Sequence, residues 1–243
     1  MAMPVALALA KELDSYTPCV TQIGNHSQEE NFERLVYLIK KILSIYTAHF
    51  SARQKEKGIE ALRFAAEKHS KVYRNDKITP YLIHVLEVTN ILIDQKVFDY
   101  KIIISAIIHD VVEDTDEKIK DIKQRFGYSI SKIVDLLTKH RNFIRRWGYW
   151  WLMKKEKNLN ISWRAIVIKF ADRIHNLMTL NSMSKKSKED KVKETLEEFP
   201  GLYKVLIKTL HRLRLKGIIR KEAYLLLPFH LNNRLFYELS PYQ

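Results

Sequence analysis

One cysteine, six glycines and six prolines are spread over 243 residues. A lone Cys19 excludes a disulfide framework and an all-thiolate metal site. So few turn-forming residues argue against a many-stranded sandwich or barrel and for long helices. No apolar run approaches the ~18 residues of a membrane span. The opening residues, MAMPVALALAKELD, have no basic segment before their short apolar run, so they read as a helix start and not as an export signal. The expectation is a cytoplasmic protein with no membrane partner. Acidic residues are also in short supply, 28 Asp and Glu against 42 Lys and Arg, which leaves a net charge of +14. Such a field favours polyanionic partners, nucleotides or nucleic acid among them, without choosing between them. At 46% hydrophobic and 29% charged, the chain is too apolar for disorder and long enough to bury a sizeable core.

What the sequence does have is one stretch of unusual character, IIISAIIHDVVEDTD, from Ile102 to Asp116. An almost unbroken apolar run leads straight into His109, Asp110, Glu113, Asp114 and Asp116. In a continuous helix, His109 would stack with Glu113 and Asp110 with Asp114, one turn apart. A helix apolar on all sides crosses a core, and carboxylates delivered from a core need a compensating cation, either a metal ion or Lys and Arg side chains.

Around that stretch the chain divides into three parts. Residues 1–51 form an accessory segment in which Ser27 and Glu30 have capping-box spacing. There Phe32, Leu35, Val36, Ile39, Ile42, Leu43 and Tyr46 share one helix face. The main unit runs over 52–213. It contains a polar loop with Arg74, a helix opened by Pro80 and carrying His84, two short amphipathic helices about Gly127, and an irregular Trp- and Arg-rich segment over 140–163. The helical stretch IVIKFADRIHNLMTL comes next, and a further helix is expected from Asp190. The four tryptophans among Arg and Lys in the irregular segment read either as base-stacking groups or as anchors pinning an insertion to the core. Lys204, Lys208, Arg212, Lys216 and Arg220 fall four apart, which reads either as a solvated face or as a ridge for a polyanion. Residues 214–243 form a C-terminal tail, and after Pro228 its apolar residues show no clear period. The fold class expected is all-α.

His84, His109 with Asp110, and Asp172 sit on three separate segments, and this mixed nitrogen and oxygen set suits Mn²⁺, Fe²⁺ or Zn²⁺. In FADRIHN, Lys169, Asp172 and Asn176 share a helix face while Arg173 turns away. The motifs FAAEKHSKVYR (64–74), TPYLIHVLEV (79–88), SAIIHDVVEDT (105–115), RFG (125–127), VDLLTK (134–139), IKFADRIHNLMTL (168–180) and KETLEEF (193–199) carry a family resemblance. Together they resemble the HD superfamily of metal-dependent phosphohydrolases, in particular the hydrolase domain of RelA/SpoT-type alarmone enzymes and their small hydrolase relatives.

The resemblance implies an HD-domain helical bundle with an N-terminal accessory helix and a C-terminal helical extension. It implies one divalent ion, Mn²⁺ by preference, held by His84, His109, Asp110 and Asp172. It places Glu113 and Asp114 at the attacking water, and Arg74 and Asn176 on the nucleotide. Lys139 and Lys169 are candidates for neutralising phosphate charge, with Lys169 equally placed to partner Asp172. The activity implied is removal of the 3′-pyrophosphate from a guanosine (or adenosine) 3′,5′-polyphosphate, with no synthetase activity. The competing reading is an HD-type nuclease or phosphodiesterase, which the positive charge would suit. Asn75, Val85 and Met178 depart from the family pattern, which has a basic residue, Pro and Arg there.

Overall fold

The computed structural model describes residues 7–12, 25–138, 141–219 and 223–242. No β-strand forms among them; a single antiparallel bridge, Tyr73 to Pro80, closes one loop. The long helices are α1 (Asn25–His49), α2 (Ala52–Lys68), α3 (Tyr81–Asp94), α4 (Tyr100–Ile107), the single turn α5 (Val111–Asp114), α6 (Ile119–Phe126), α7 (Tyr128–Leu137), α8 (Arg141–Lys155), α9 (Leu159–Met178), α10 (Lys185–Leu215) and α11 (Ala223–Leu239). No helix among the described residues is long and apolar enough to cross a membrane.

Two apolar clusters hold these helices together. One gathers the buried face of α1 (Leu35, Leu38, Ile39, Ile42, Tyr46) with α2 and the near sides of α3 and α4. The spacing of three and four along α1 is the amphipathic pattern that makes it pack and not float. The other surrounds α9, where fifteen of twenty residues are buried. A helix apolar nearly all round must be enclosed, and α9 is, by α3, α4, α7, α8, α10 and α11. Its start is tied to the start of α4: Asp99, which accepts from the Lys101 and Ile102 amides at the α4 N-terminus, also takes Arg164 Nη2 of α9 at 2.6 Å.

Two sequence expectations change. The segment over 140–163 is mainly helical: α8 runs through it, with a break at Gly148, where φ is +71°. A Cβ at Gly148 would run into the Glu198 carboxylate, which instead accepts the Tyr149 amide at 3.0 Å and so clamps α8 to α10. Helix α10 starts at Lys185 behind an N-cap from Ser184, not at Asp190, because the Ser184 hydroxyl accepts the Ser187 amide. The tail forms helix α11, the helical extension expected. Its buried Leu227, Leu231, Leu235 and Leu239 lie four apart and pack in the cluster around α9, a period obscured in sequence by the exposed Leu226, Phe229, Phe236 and Tyr237 between them. Of the tryptophans, Trp163 is an anchor, 1% exposed in the core.

Candidate active site

The site forms where α3, the link after α4, and α9 converge. The Ile102–Asp116 stretch is not one continuous helix. α4 ends at Ile107, a turn carries Ile108, His109 and Asp110, and α5 adds one more turn. The local cause lies in His109. Its Nδ1 bonds the Ala106 carbonyl at 2.8 Å, competing for the oxygen that a continuing helix would give to the Asp110 amide. The next helical turn starts at once, because the Glu113 and Asp114 amides both bond back to the Asp110 carbonyl.

That bond also fixes the tautomer. With Nδ1–H facing a carbonyl, His109 turns Nε2 toward the site, where it is buried with no hydrogen-bond partner. His84 shows the same arrangement from α3. Its Nδ1 meets His175 Nδ1 at 2.7 Å, and its Nε2 is likewise buried without a partner. Both orphaned nitrogens face carboxylates: His84 Nε2 lies 3.6 Å from Asp110 and 3.5 Å from Asp172, and His109 Nε2 lies 3.0 Å and 3.9 Å from the same two groups. Ligand atoms of His84, His109 and Asp172 all fall within 4.8 Å of one another. Two buried imidazole nitrogens and two carboxylates converging at this range fit a divalent cation, which would take the place of any proton held between them, and nitrogen with oxygen donors suits a first-row transition metal. The second ring nitrogens are held by a backbone carbonyl and another imidazole, the outer support that metal-bound histidines require.

Each carboxylate has its own support. Tyr81, one turn before His84, donates its hydroxyl to Asp110 Oδ2 at 2.7 Å. Asp172 takes Lys169 Nζ on Oδ2 at 3.0 Å and the Asn176 amide on Oδ1 at 2.5 Å. Burial alone would raise both acids; the surrounding cations and donors, His109 foremost for Asp110 and Lys169 for Asp172, hold them well below the usual carboxylate range instead. Burial pulls the His109 imidazole down, but Asp110 and Asp172 outweigh it and push it up to about 9. Asp114 stands at the rim of the site, raised to about 6 by desolvation and by the negative charge of Asp110 and Glu113.

The residues expected at the site arrive there unequally. Arg74, in the loop before α3, bonds Asn176 Oδ1 at 2.9 Å and Thr179 Oγ1 at 3.1 Å, so these two candidates for substrate contact meet beside Asp172. Lys169 is only 6% exposed, with its ammonium on Asp172 and 4.3 Å from the Tyr149 ring centre. Its position is that of the partner to Asp172, the alternative the sequence also offered. Arg173 turns away, as expected, to Glu194 at 2.7 Å. Lys139 lies outside the described residues. Sequence reasoning passed over Tyr81, His175, Thr179 and His69. Tyr81 precedes His84 by three residues and His175 follows Asp172 by three, so helical spacing held the signal for both. His69 is fully buried with both ring nitrogens unpartnered among the described residues. Burial lowers it to about 4, so a neutral ring packs behind Tyr81, 4.8 Å between centres.

Comparison with known proteins agrees with this geometry. The profile of the HD domain family matches residues 61–206, more than half of the chain. The guanosine-3′,5′-bis(diphosphate) 3′-pyrophosphohydrolase of Aquifex aeolicus is 32% identical over 192 residues, 75% of this chain but 24% of that protein, so the chain spans about a quarter of that relative's length. The guanosine-3′,5′-bis(diphosphate) 3′-pyrophosphohydrolase MESH1 of Drosophila melanogaster is 34% identical over 132 residues, 51% of this chain and 69% of that one. A solved structure described as a metazoan ortholog of SpoT that hydrolyzes ppGpp superposes with a TM-score of 0.52 at 27% identity, covering 70% of this chain and 98% of its own. With the all-α core, the paired histidines and Asp172 on α9, these matches make the chain a member of the HD-domain family, in the company of guanosine-3′,5′-bis(diphosphate) 3′-pyrophosphohydrolases.

Proposed function

We propose that this chain removes pyrophosphate from the 3′ position of guanosine 3′,5′-bis(diphosphate). The observation that carries the reading is the pair of buried, unpartnered Nε2 atoms of His84 and His109 facing Asp110 and Asp172, in a chain whose relatives bear that activity in their names. His84, His109, Asp110 and Asp172 would hold one divalent ion, with Mn²⁺ the ion we favour. Such an ion, when bound, lowers the pKa of water and polarises a phosphoryl oxygen. His175 holds the proton on His84 Nδ1 and so keeps the Nε2 lone pair directed at the site. Tyr81 and Lys169 orient the two carboxylates.

Glu113 and Asp114 project from the single turn of α5 just beyond Asp110. Glu113 orients the attacking water and takes its proton. Asp114, its pKa raised to about 6, exchanges protons with the site near neutral pH. The water oxygen bonds to the phosphorus carried by the sugar 3′-oxygen. The bond between that phosphorus and O3′ then breaks, giving pyrophosphate and a nucleoside 5′-diphosphate with a free 3′-hydroxyl. Arg74, held by Asn176 and Thr179 next to Asp172, supplies positive charge to the 5′ or 3′ phosphates, and Lys139 is placed by its motif to do the same.

The test is incubation with Mn²⁺ and guanosine 3′,5′-bis(diphosphate), its adenosine analogue, or single-stranded RNA and DNA, with products resolved by anion exchange. Pyrophosphate with the matching 5′-diphosphate is the expected outcome. Shortened oligonucleotides with both alarmones untouched would assign the site to a nuclease.

A further inference from the structure

Two features that the sequence keeps far apart meet in space. The basic stripe of α10 and the Trp- and Lys-rich end of α8 form opposite walls of one cleft of about 610 Å³, with the first turns of α9 between them. Lys154, Lys155 and Lys157 line it from the α8 side and Lys204, Lys208 and Arg212 from α10, with Glu156 the one acid among them. Among the described residues, none of the six cations has a carboxylate within ion-pairing distance. The C-terminal dipole of α8 accounts for Lys154 and Lys155. It does not account for three more cations facing them, one turn apart on α10, where like charges at that spacing repel. The floor is apolar, with Met153 buried and Leu159 and Val205 half-buried. Trp150 forms a side wall and lies close against Gly201, where an added Cβ would stand 2.9 Å from the indole; Lys154 Nζ sits 5.9 Å from the ring centre.

A concave apolar floor, an aromatic plane and unbalanced cations converging on one volume are the elements of a site for a planar, polyanionic ligand, and the volume falls in the range of small-molecule pockets. The cleft is separate from the catalytic centre. Ser162, on its lining, and Asp172 are ten residues apart on α9, about 15 Å at the helical rise. No histidine lines it and Glu156 is its single carboxylate, so it has no means of activating water.

We propose that this cleft is a second, non-hydrolytic binding site for a nucleoside polyphosphate, with the base on Trp150 and the phosphates between the lysines of α8 and the stripe of α10. A single strand of nucleic acid needs a basic track open at both ends. Here the cations gather around one cleft of about 610 Å³ with a single tryptophan on its wall, a volume for one nucleotide, which favours the mononucleotide.

The experiment is titration of the full chain, stripped of metal with EDTA, with GTP, ATP, inorganic triphosphate and single-stranded RNA. Calorimetry and tryptophan fluorescence are the readouts. GTP or ATP should bind with quenching, and Lys204→Glu/Lys208→Glu should weaken binding at least ~10-fold. Trp150→Leu should weaken it about 10-fold and abolish the quench, with Trp150→Phe restoring part of the affinity. Arg74→Ala, at the catalytic centre, should bind these nucleotides as wild type does. Circular dichroism and melting confirm that each variant is folded. The proposal fails if no nucleotide binds, if charge reversal leaves affinity unchanged, or if Arg74→Ala abolishes binding. It also fails if inorganic triphosphate binds as tightly as GTP, or if RNA binds with an affinity that climbs with length and displaces GTP.

Discussion

His175 offers the sharpest test of how the metal site is held. A histidine that ligates through Nε2 must carry its proton on Nδ1. At His84 that proton has one acceptor among the described residues, His175 Nδ1 at 2.7 Å, with the two rings 1% and 3% exposed. Burial and the neighbouring His84, Arg74 and Arg34 hold the His175 imidazole well below its ordinary range, so it stays neutral and able to accept. His175→Leu keeps an apolar side chain in the space but leaves a buried N–H without a partner, which costs about 1–3 kcal/mol. In the metal-free protein His84 escapes this by moving its proton to Nε2. Metal binding forbids the escape, so the cost appears as weaker metal affinity, about 10–100-fold. The assay is titration with Co²⁺, read by its visible spectrum, together with melting of the metal-free protein. His175→Asn, whose amide oxygen accepts a hydrogen bond, should recover most of the affinity. Wild-type metal affinity in folded His175→Leu would refute the reasoning, as would equal losses in Leu and Asn variants.

Three further outcomes are expected. Glu113→Gln keeps shape and removes the base, so turnover should fall about 10²–10⁴-fold with metal content by elemental analysis unchanged; unaltered turnover would move the base elsewhere. Lys169→Met removes the cation from the buried Asp172 and should cost the metal-free protein about 3–5 kcal/mol in denaturant unfolding, a loss that saturating metal reduces; equal losses with and without metal would refute the pairing. The third concerns pH. His109 titrates at about 9 in the metal-free fold against about 6.5 in the unfolded chain. Its protonated form therefore stabilises that fold fully below pH ~6.5, and the contribution is lost as pH rises toward 9. Metal must displace the same proton, so metal affinity should climb across the window. A flat metal affinity between pH 6.5 and 9 would contradict it.

The sequence by itself determined that the chain is helical, because scarce Gly and Pro and apolar spacings of three and four leave little else. It also marked His109 and Asp110, because a helix apolar all round that delivers acids and an imidazole needs a cation at its end; His84 and Asp172 stood out as such groups on two other segments, and the resemblance joined the four into one ligand set. The Arg74 and Asn176 assignments came from the resemblance, and the structure sets those two side chains in contact. Tertiary structure decided the rest. Whether Lys169 faces a phosphate or Asp172 depends on what covers it, and Tyr149, from a helix twenty residues earlier, does. Helical periodicity does not foretell that His109 breaks its own helix, since that rests on a side chain competing for a backbone carbonyl. The period of α11 was hidden because exposed apolar residues interleave with its buried leucines, and only the surface of α9 selects which of them count. The cleft between α8 and α10 is the plainest case. In sequence the stripe of α10 reads as a solvated face or a ridge and the Trp-rich segment as stacking groups or anchors, and it is the packing of α8 beside α10, clamped by Glu198 next to Gly148, that brings the two to one cavity.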